Sequence, residues 1–185
     1  MSEVDYAQPA VSEPTPSRLL RGEDVLADPL VRALVDARLV CVLATAEPDG
    51  RIHAVPMWFS PDGDALVLAT GSRSRKVSNV RRAPIATFVV HDSRPGMEVC
   101  GASIRGPVEV VGGPAAAPLV QLVHRRYVDA HAGALAPVVE FLSSDDVALR
   151  LRPEEAFTWD ERESEAARVL RATGGALPLV STEPR

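Results

Sequence analysis

Short apolar runs separated by turn signals dominate the middle of this chain. Residues 39–45, 51–59 and 65–70 are three such runs, and the gaps between them contain Glu47-Pro48-Asp49-Gly50 and Ser60-Pro61-Asp62-Gly63-Asp64. Each gap carries Asp-Gly, which favours the tight reversal of a β-hairpin because both residues tolerate positive φ. The pattern predicts a three-stranded meander. Pro56 lies inside the second run and has no N–H to give to a ladder, so an edge, a bulge or a bend is expected beside Met57 and Trp58. Further strands are predicted over 85–90, over 98–111 with an interruption near Gly106-Pro107, and over 147–151, where Val147, Leu149 and Leu151 alternate with Ala148 and Arg150.

Helical spacing is confined to a few segments. Asp28-Pro29 reads as a cap followed by proline in the first turn, and Leu30, Val31, Leu34 and Val35 supply an apolar stripe that should end before Leu39. A second helix is predicted from Ala115 to about His131, with Leu119, Leu122, Val123 and Tyr127 at three- and four-residue spacing. A third opens near Ser74 and is limited by Pro84, and a charged one runs from Glu161 to Ala172. Six or so strands joined by short turns, with helices between groups of them, predict a mainly β fold with α: an antiparallel barrel with flanking helices rather than βαβ units. The expected organisation is a flexible proline-bearing leader over 1–17, one domain over 18–173 and a frayed tail over 174–185.

Composition changes this picture in three places. Aromatic residues make up only 4% of the chain, so the core must come from Val, Leu, Ala and Ile, and each Trp or Phe becomes a candidate for a specific task. The net charge of -5 argues against nucleic acid as a partner and suits a small anion bound at a local basic patch. Cys41 and Cys100 form no metal-type or CxxC spacing and read as reduced, partly buried small hydrophobes. With no apolar stretch of membrane-spanning length, a soluble cytoplasmic protein is expected.

Chemistry is concentrated in one stretch. Positions 73–82 hold Arg73, Arg75, Lys76, Arg81 and Arg82 and no acid, directly after an apolar strand and a Gly-Ser turn. With Ser74 as N-cap, two cations fall in the first helical turn, where they oppose the helix dipole and call for an anion. The bland alternative is a solvated helix start. Asn79, one turn beyond Lys76, either completes a phosphate cradle or bonds to the preceding turn. His53, Met57 and Phe59 alternate along one strand with Trp58 on the opposite side; one face is a place for a planar ring, and His53 reads equally as an exposed strand residue. His124 and His131 stand seven apart on the predicted helix without a Cys or carboxylate at diagnostic spacing, so no metal site is expected. No GxSxG, Walker or dinucleotide motif is present and no catalytic side chain is assigned, which leaves cofactor-borne chemistry if the protein is an enzyme.

The ordered series Leu43-Ala44-Thr45, the segment Asp49-Gly50-Arg51-Ile52-His53-Ala54-Val55-Pro56-Met57-Trp58-Phe59, then Asp62-Gly63 and residues 70–82, resembles the pyridoxamine 5'-phosphate oxidase-like split-barrel superfamily, in particular its flavin- and deazaflavin (F420)-dependent reductases. The resemblance implies a split β-barrel homodimer with cofactor sites between subunits. Carried over by position, Pro56, Met57 and Trp58 line the ring, and Thr70, Ser72, Lys76 and Asn79 hold the ribityl-phosphate end. Arg75 departs from the small or neutral residue expected before the lysine and is either a second phosphate contact or solvent-exposed. Residues 98–102 and Trp159 are expected to reach the ring from the other subunit. The implied activity is hydride transfer between F420, or alternatively FMN, and a small conjugated or carbonyl-containing molecule. A non-catalytic flavin- or F420-storage protein and a dimeric protein that merely binds inorganic anions are the competing readings.

Overall fold

The computed structural model describes residues 17–94, 98–142 and 145–175; the predicted leader and most of the predicted tail lie outside them. A short strand β1 (Arg18–Arg21) and a single turn α1 (Asp24–Ala27) lead into α2 (Pro29–Asp36). The Asp28 carboxylate accepts from the amides of Leu30 at 2.9 Å and Val31 at 3.2 Å, so the predicted cap is formed. Strands β2 (Cys41–Ala46), β3 (Ile52–Met57), β4 (Phe59–Asp62) and β5 (Ala65–Gly71) follow, then α3 (Arg75–Arg82), β6 (Ile85–Arg94) and β7 (Glu98–Val111). The chain continues through α4 (Ala116–Tyr127), α5 (Ala136–Leu142), β8 (Asp146–Leu151), β9 (Glu155–Asp160) and α6 (Glu165–Thr173).

The predicted second strand is two strands. It breaks at Trp58, and its halves pair with different neighbours: β3 lies against β2, with Pro56 opposite Val42, whereas β4 lies against β5, with Phe59 opposite Leu68. This break overturns the expected barrel. The main path of the sheet runs β3-β2-β6-β7-β8-β5-β4, with β9 paired to β7 and β1 to β9, so β3 and β4 end the path and no ladder joins them. The split β-barrel is therefore corrected to an open nine-stranded sheet flanked by helices. Each terminal strand carries a proline, Pro56 and Pro61, at a position where an amide would be needed to extend a ladder.

The predicted interruption at Gly106-Pro107 is a change of partner within a continuous strand. Up to Arg105 β7 pairs with β9, and from Val108 it pairs with β8. A side chain at position 106 would place its Cβ 1.8 Å from the Arg152 carbonyl oxygen, so only glycine lets the chain pass there. Strand β9, which was not predicted, alternates buried Ala156 and Thr158 with outward Phe157 and Trp159. The charged helix begins later than predicted, at Glu165, because the Ser164 hydroxyl accepts from the Ala167 amide at 3.2 Å.

Two apolar layers meet on β5. Leu66 and Leu68 face the main core with Leu43, Phe88, Ile104, Leu149 and Leu151, where Phe59 and Phe88 pack edge to face at 4.8 Å. Val67 and Ala69 face the other way, against Val120 and Val123 of α4. A strand buried on both faces reads as a continuous apolar run, as residues 65–69 do. Cys41 and Cys100 are free and buried.

Candidate functional site

The break at Trp58 and the end of β5 meet in one cleft. Its lining joins Pro56, Met57 and Trp58 to Ala69, Thr70 and Gly71 on one side, and Val123, His124, Phe141 and Asp146 on the other, around about 370 Å³. That volume is at the small end of the range for cofactor and ligand sites. The indole of Trp58 is stacked on Tyr127 with centroids 4.9 Å apart and planes 5° from parallel, and Phe141 meets it edge-on at 6.2 Å. Tyr127 is itself anchored: its hydroxyl donates to the Leu39 carbonyl and accepts from the Phe59 amide at 3.3 Å. Cys41 donates its thiol to the Met57 carbonyl at 3.4 Å, and burial pushes that thiol far up, so it stays protonated.

The anionic end of the site is built by the turn from β5 into α3. The Lys76 ammonium donates to Thr70 Oγ1 at 2.9 Å, and that hydroxyl donates to Ser74 Oγ at 3.4 Å. Ser74 is the N-cap residue by position, yet its side chain makes no capping bond. Burial pulls the Lys76 ammonium below the ordinary lysine value, and the Asp146 carboxylate opposes that only in part. A half-buried cation at an uncapped helix start is a place where an anion relieves both charges. Gly71 adds room, since a Cβ there would meet nothing within 4 Å. These groups fit the phosphate end of a flavin or deazaflavin.

Other members of the predicted set are committed elsewhere. Asn79 is buried and donates to Thr45 Oγ1 at 3.1 Å, and Thr45 donates to the His53 carbonyl at 3.4 Å, so the amide ties α3 to the β2–β3 hairpin. His53 is half-buried on the inner face of β3 and does not line the cleft. Ser72 donates to Asp145 Oδ2 at 2.5 Å, and its amide donates to the Asp145 carbonyl at 2.8 Å. Arg75 reaches away to Glu47 at 3.0 Å, and Arg82 donates to the Ala46 carbonyl. Trp159 lies over Gly101 of β7, on the far side of β2 and β6 from Pro56. Within one chain it does not join the cleft.

Sequence reasoning missed His124 and Asp146. The imidazole Nε2 lies 3.6 Å from Asp146 Oδ2, with each side chain 12% exposed. Burial lowers the His124 pKa below the ordinary histidine value, with Asp146 pulling the other way. The available signal was the position of His124 beside Val123 on the apolar stripe of α4; the ligand-spacing test that dismissed it looks only along one helix. Among the described residues no group of three or more His, Cys, Asp or Glu is placed to hold a metal ion, and no helix is long and apolar enough to cross a membrane.

The family model for pyridoxamine 5'-phosphate oxidase matches residues 27–160, the region that contains both ends of the cleft. The chain belongs to the pyridoxamine 5'-phosphate oxidase family. It is similar to a conserved hypothetical protein, Rv2991, of Mycobacterium tuberculosis, at 25% identity and a TM-score of 0.63 over 89% of this chain and 98% of that one. An F420 reductase matches at 28% identity and a TM-score of 0.54, over 68% of this chain and 94% of the other. An FAD and heme binding protein from Mycobacterium smegmatis, 20% identical, shares the fold with a TM-score of 0.59 over 90% of this chain and 86% of its own. None of the curated proteins compared with the chain matches it. The family gives the protein a general oxidoreductase character.

Proposed function

We propose that this protein is an F420-dependent oxidoreductase that moves a hydride between the deazaflavin and a small conjugated or carbonyl-containing molecule. The observation that carries the reading is a cleft lined by Pro56, Met57 and Trp58 at one side and by Thr70 at another, where the Thr70 hydroxyl is itself bonded to Lys76 and Ser74 just beyond the lining. The likeness to an F420 reductase supports F420 over FMN. Arg73, Arg81 and Arg82, on and just before α3, offer further charge for an acidic tail that FMN lacks.

When bound, the cofactor supplies the hydride chemistry. Lys76 and Thr70 would hold its anionic end, and Pro56, Met57 and Trp58 would line its ring. Trp58, backed by Tyr127, walls the pocket and excludes water.

The working unit in this reading is a homodimer. On the outer face of the sheet Pro56, Val42, Val89, Ser103, Phe157 and Leu19 fall in one row across neighbouring strands. Phe157 is 47% exposed and Leu19 56%, although both stand in a sheet. Covering this row with a second copy would bring Trp159 of the partner subunit toward the open side of the cleft.

Titration of the whole protein with F420 and with FMN, followed by sedimentation, tests the reading. Micromolar binding of F420 by a dimer is expected, with reoxidation of the reduced cofactor accelerated by quinones or enones. Binding without acceleration would favour a storage role, and binding of neither cofactor would end the proposal. A strict monomer with full affinity would remove the shared site.

A further inference from the structure

Of the residues that line the cleft, only His124 and Asp146 carry an imidazole or a carboxylate. The same two residues also line a second opening, of about 210 Å³, with Gly113, Ala117, Val120, Gln121 and Leu142. The pair is thus a partition: one side meets the ring-sized cleft at Trp58, and the other meets a separate hollow beside the exposed Gln121.

We propose that His124, oriented by Asp146, is the acid and base of this cleft. The inference rests on reading the cleft as a redox site. An enone or carbonyl that has received a hydride from reduced F420 or FMN holds two more electrons and a negative charge on its oxygen or adjacent carbon. One proton completes the balance. It passes from the His124 imidazolium to that atom, the new O–H or C–H bond forms as the N–H bond breaks, and the neutral ring is reprotonated from solvent through the second opening. Oxidation of an alcohol runs the same steps backward, with neutral His124 taking the hydroxyl proton.

Among the described residues the charged surroundings of the ring are these. From β8 it faces Asp146, which also interacts electrostatically with Lys76 of α3; Asp145 is engaged by Ser72. On α4 itself Arg125 donates to Gln121, while Arg126 donates to the Val35 and Ala37 carbonyls. The lining residue Phe141 of α5 and the lining residues of β5 bring no titratable group. Burial holds the His124 pKa below the ordinary histidine value, and Asp146 opposes that shift. Reduction should therefore quicken as pH falls through that pKa, and oxidation should slow.

The test has two arms. In the cofactor-free protein, NMR of histidine labelled with nitrogen-15, with His124 assigned by its loss in His124→Gln, should show titration below the ordinary value, and Asp146→Asn should lower it further. An unchanged titration in Asp146→Asn overturns the pairing. In the second arm, protein loaded with reduced F420 or FMN is mixed with 2-cyclohexen-1-one or a quinone. His124→Gln should bind the cofactor within about twofold of wild type while the rate falls roughly 10²-fold or more and its acid-side rise disappears. Asp146→Asn should keep a reduced rate with the rise moved to lower pH. An unchanged rate and pH profile in His124→Gln overturns this inference and leaves the proposed function standing. Failure of the wild type to bind either cofactor, or to reduce any acceptor, overturns both.

Discussion

Helix α4 lines the cleft and helix α3 reaches its edge through the Lys76–Thr70 bond, and their sequences look like opposites. Helix α3 begins in a cluster of cations that advertises a site, yet Arg75 is occupied by Glu47, Arg82 by the Ala46 carbonyl and Asn79 by Thr45, which leaves the half-buried Lys76 bonded to Thr70 at the edge of the cleft. Helix α4 reads as an ordinary amphipathic helix, and it delivers the one imidazole in the cleft and the tyrosine behind Trp58. Density of charge along a chain marks where an anion is welcome. Which groups meet it is decided by what else lies within reach, because an exposed arginine finds a local carboxylate or carbonyl wherever one is near.

The sharpest way to break the contrast is Lys76→Met. Affinity for FMN or F420 should fall about 10- to 100-fold by titration, the scale of one or two charge-assisted hydrogen bonds. The cofactor-free variant should melt at the same temperature as wild type or higher. The sign follows from the lowered lysine pKa: at neutral pH the folded state holds this proton less readily than the unfolded chain, so the charge opposes folding until an anion joins it. A Lys76→Met protein that binds as well as wild type would make α3 an ordinary solvated helix.

Next in size is Tyr127→Phe on α4, which leaves the Leu39 carbonyl and the Phe59 amide without their partner. It should cost about 1–3 kcal/mol in urea unfolding, with cofactor affinity reduced if the Trp58 wall loosens. A neutral result would show that the stack alone holds the wall. Asn79→Leu should cost about 1–2 kcal/mol through Thr45, with little change in anion affinity beyond what the loss of stability explains. If affinity falls as far as in Lys76→Met, Asn79 belongs to the cradle. The smallest effect is expected for Arg75→Ala, less than about 0.5 kcal/mol in stability and under about twofold in affinity, since its guanidinium is 67% exposed and paired at the surface.

Much of the local structure was legible beforehand. The Asp28 cap, the two Asp-Gly reversals and the apolar run of β5 are short-range choices, set by capping, turn geometry and burial on both faces, and they formed where expected. The family was legible for a similar reason, since the ordered motifs from Leu43 to Arg82 carry it. Other features were hidden. That residues 51–59 form two strands with separate partners depends on where β2 and β5 lie, and nothing in alternating hydrophobicity records the partner of a strand. Proline at Pro56 foretold a disturbance but not that the ladder would stay open.

The sequence by itself determined the capped helix after Asp28, the Asp-Gly turns and the placing of a cationic helix start after a buried strand, because these follow from interactions among residues near one another in the chain. Tertiary structure alone decided that the sheet stays open, that Asn79 braces a hairpin, and that His124 and Asp146, on a helix and a strand distant in sequence, stand 3.6 Å apart beside Trp58. The reason is physical. A site of this kind is made by convergence, and the desolvation that tunes its groups exists only once the surrounding chain has closed over them.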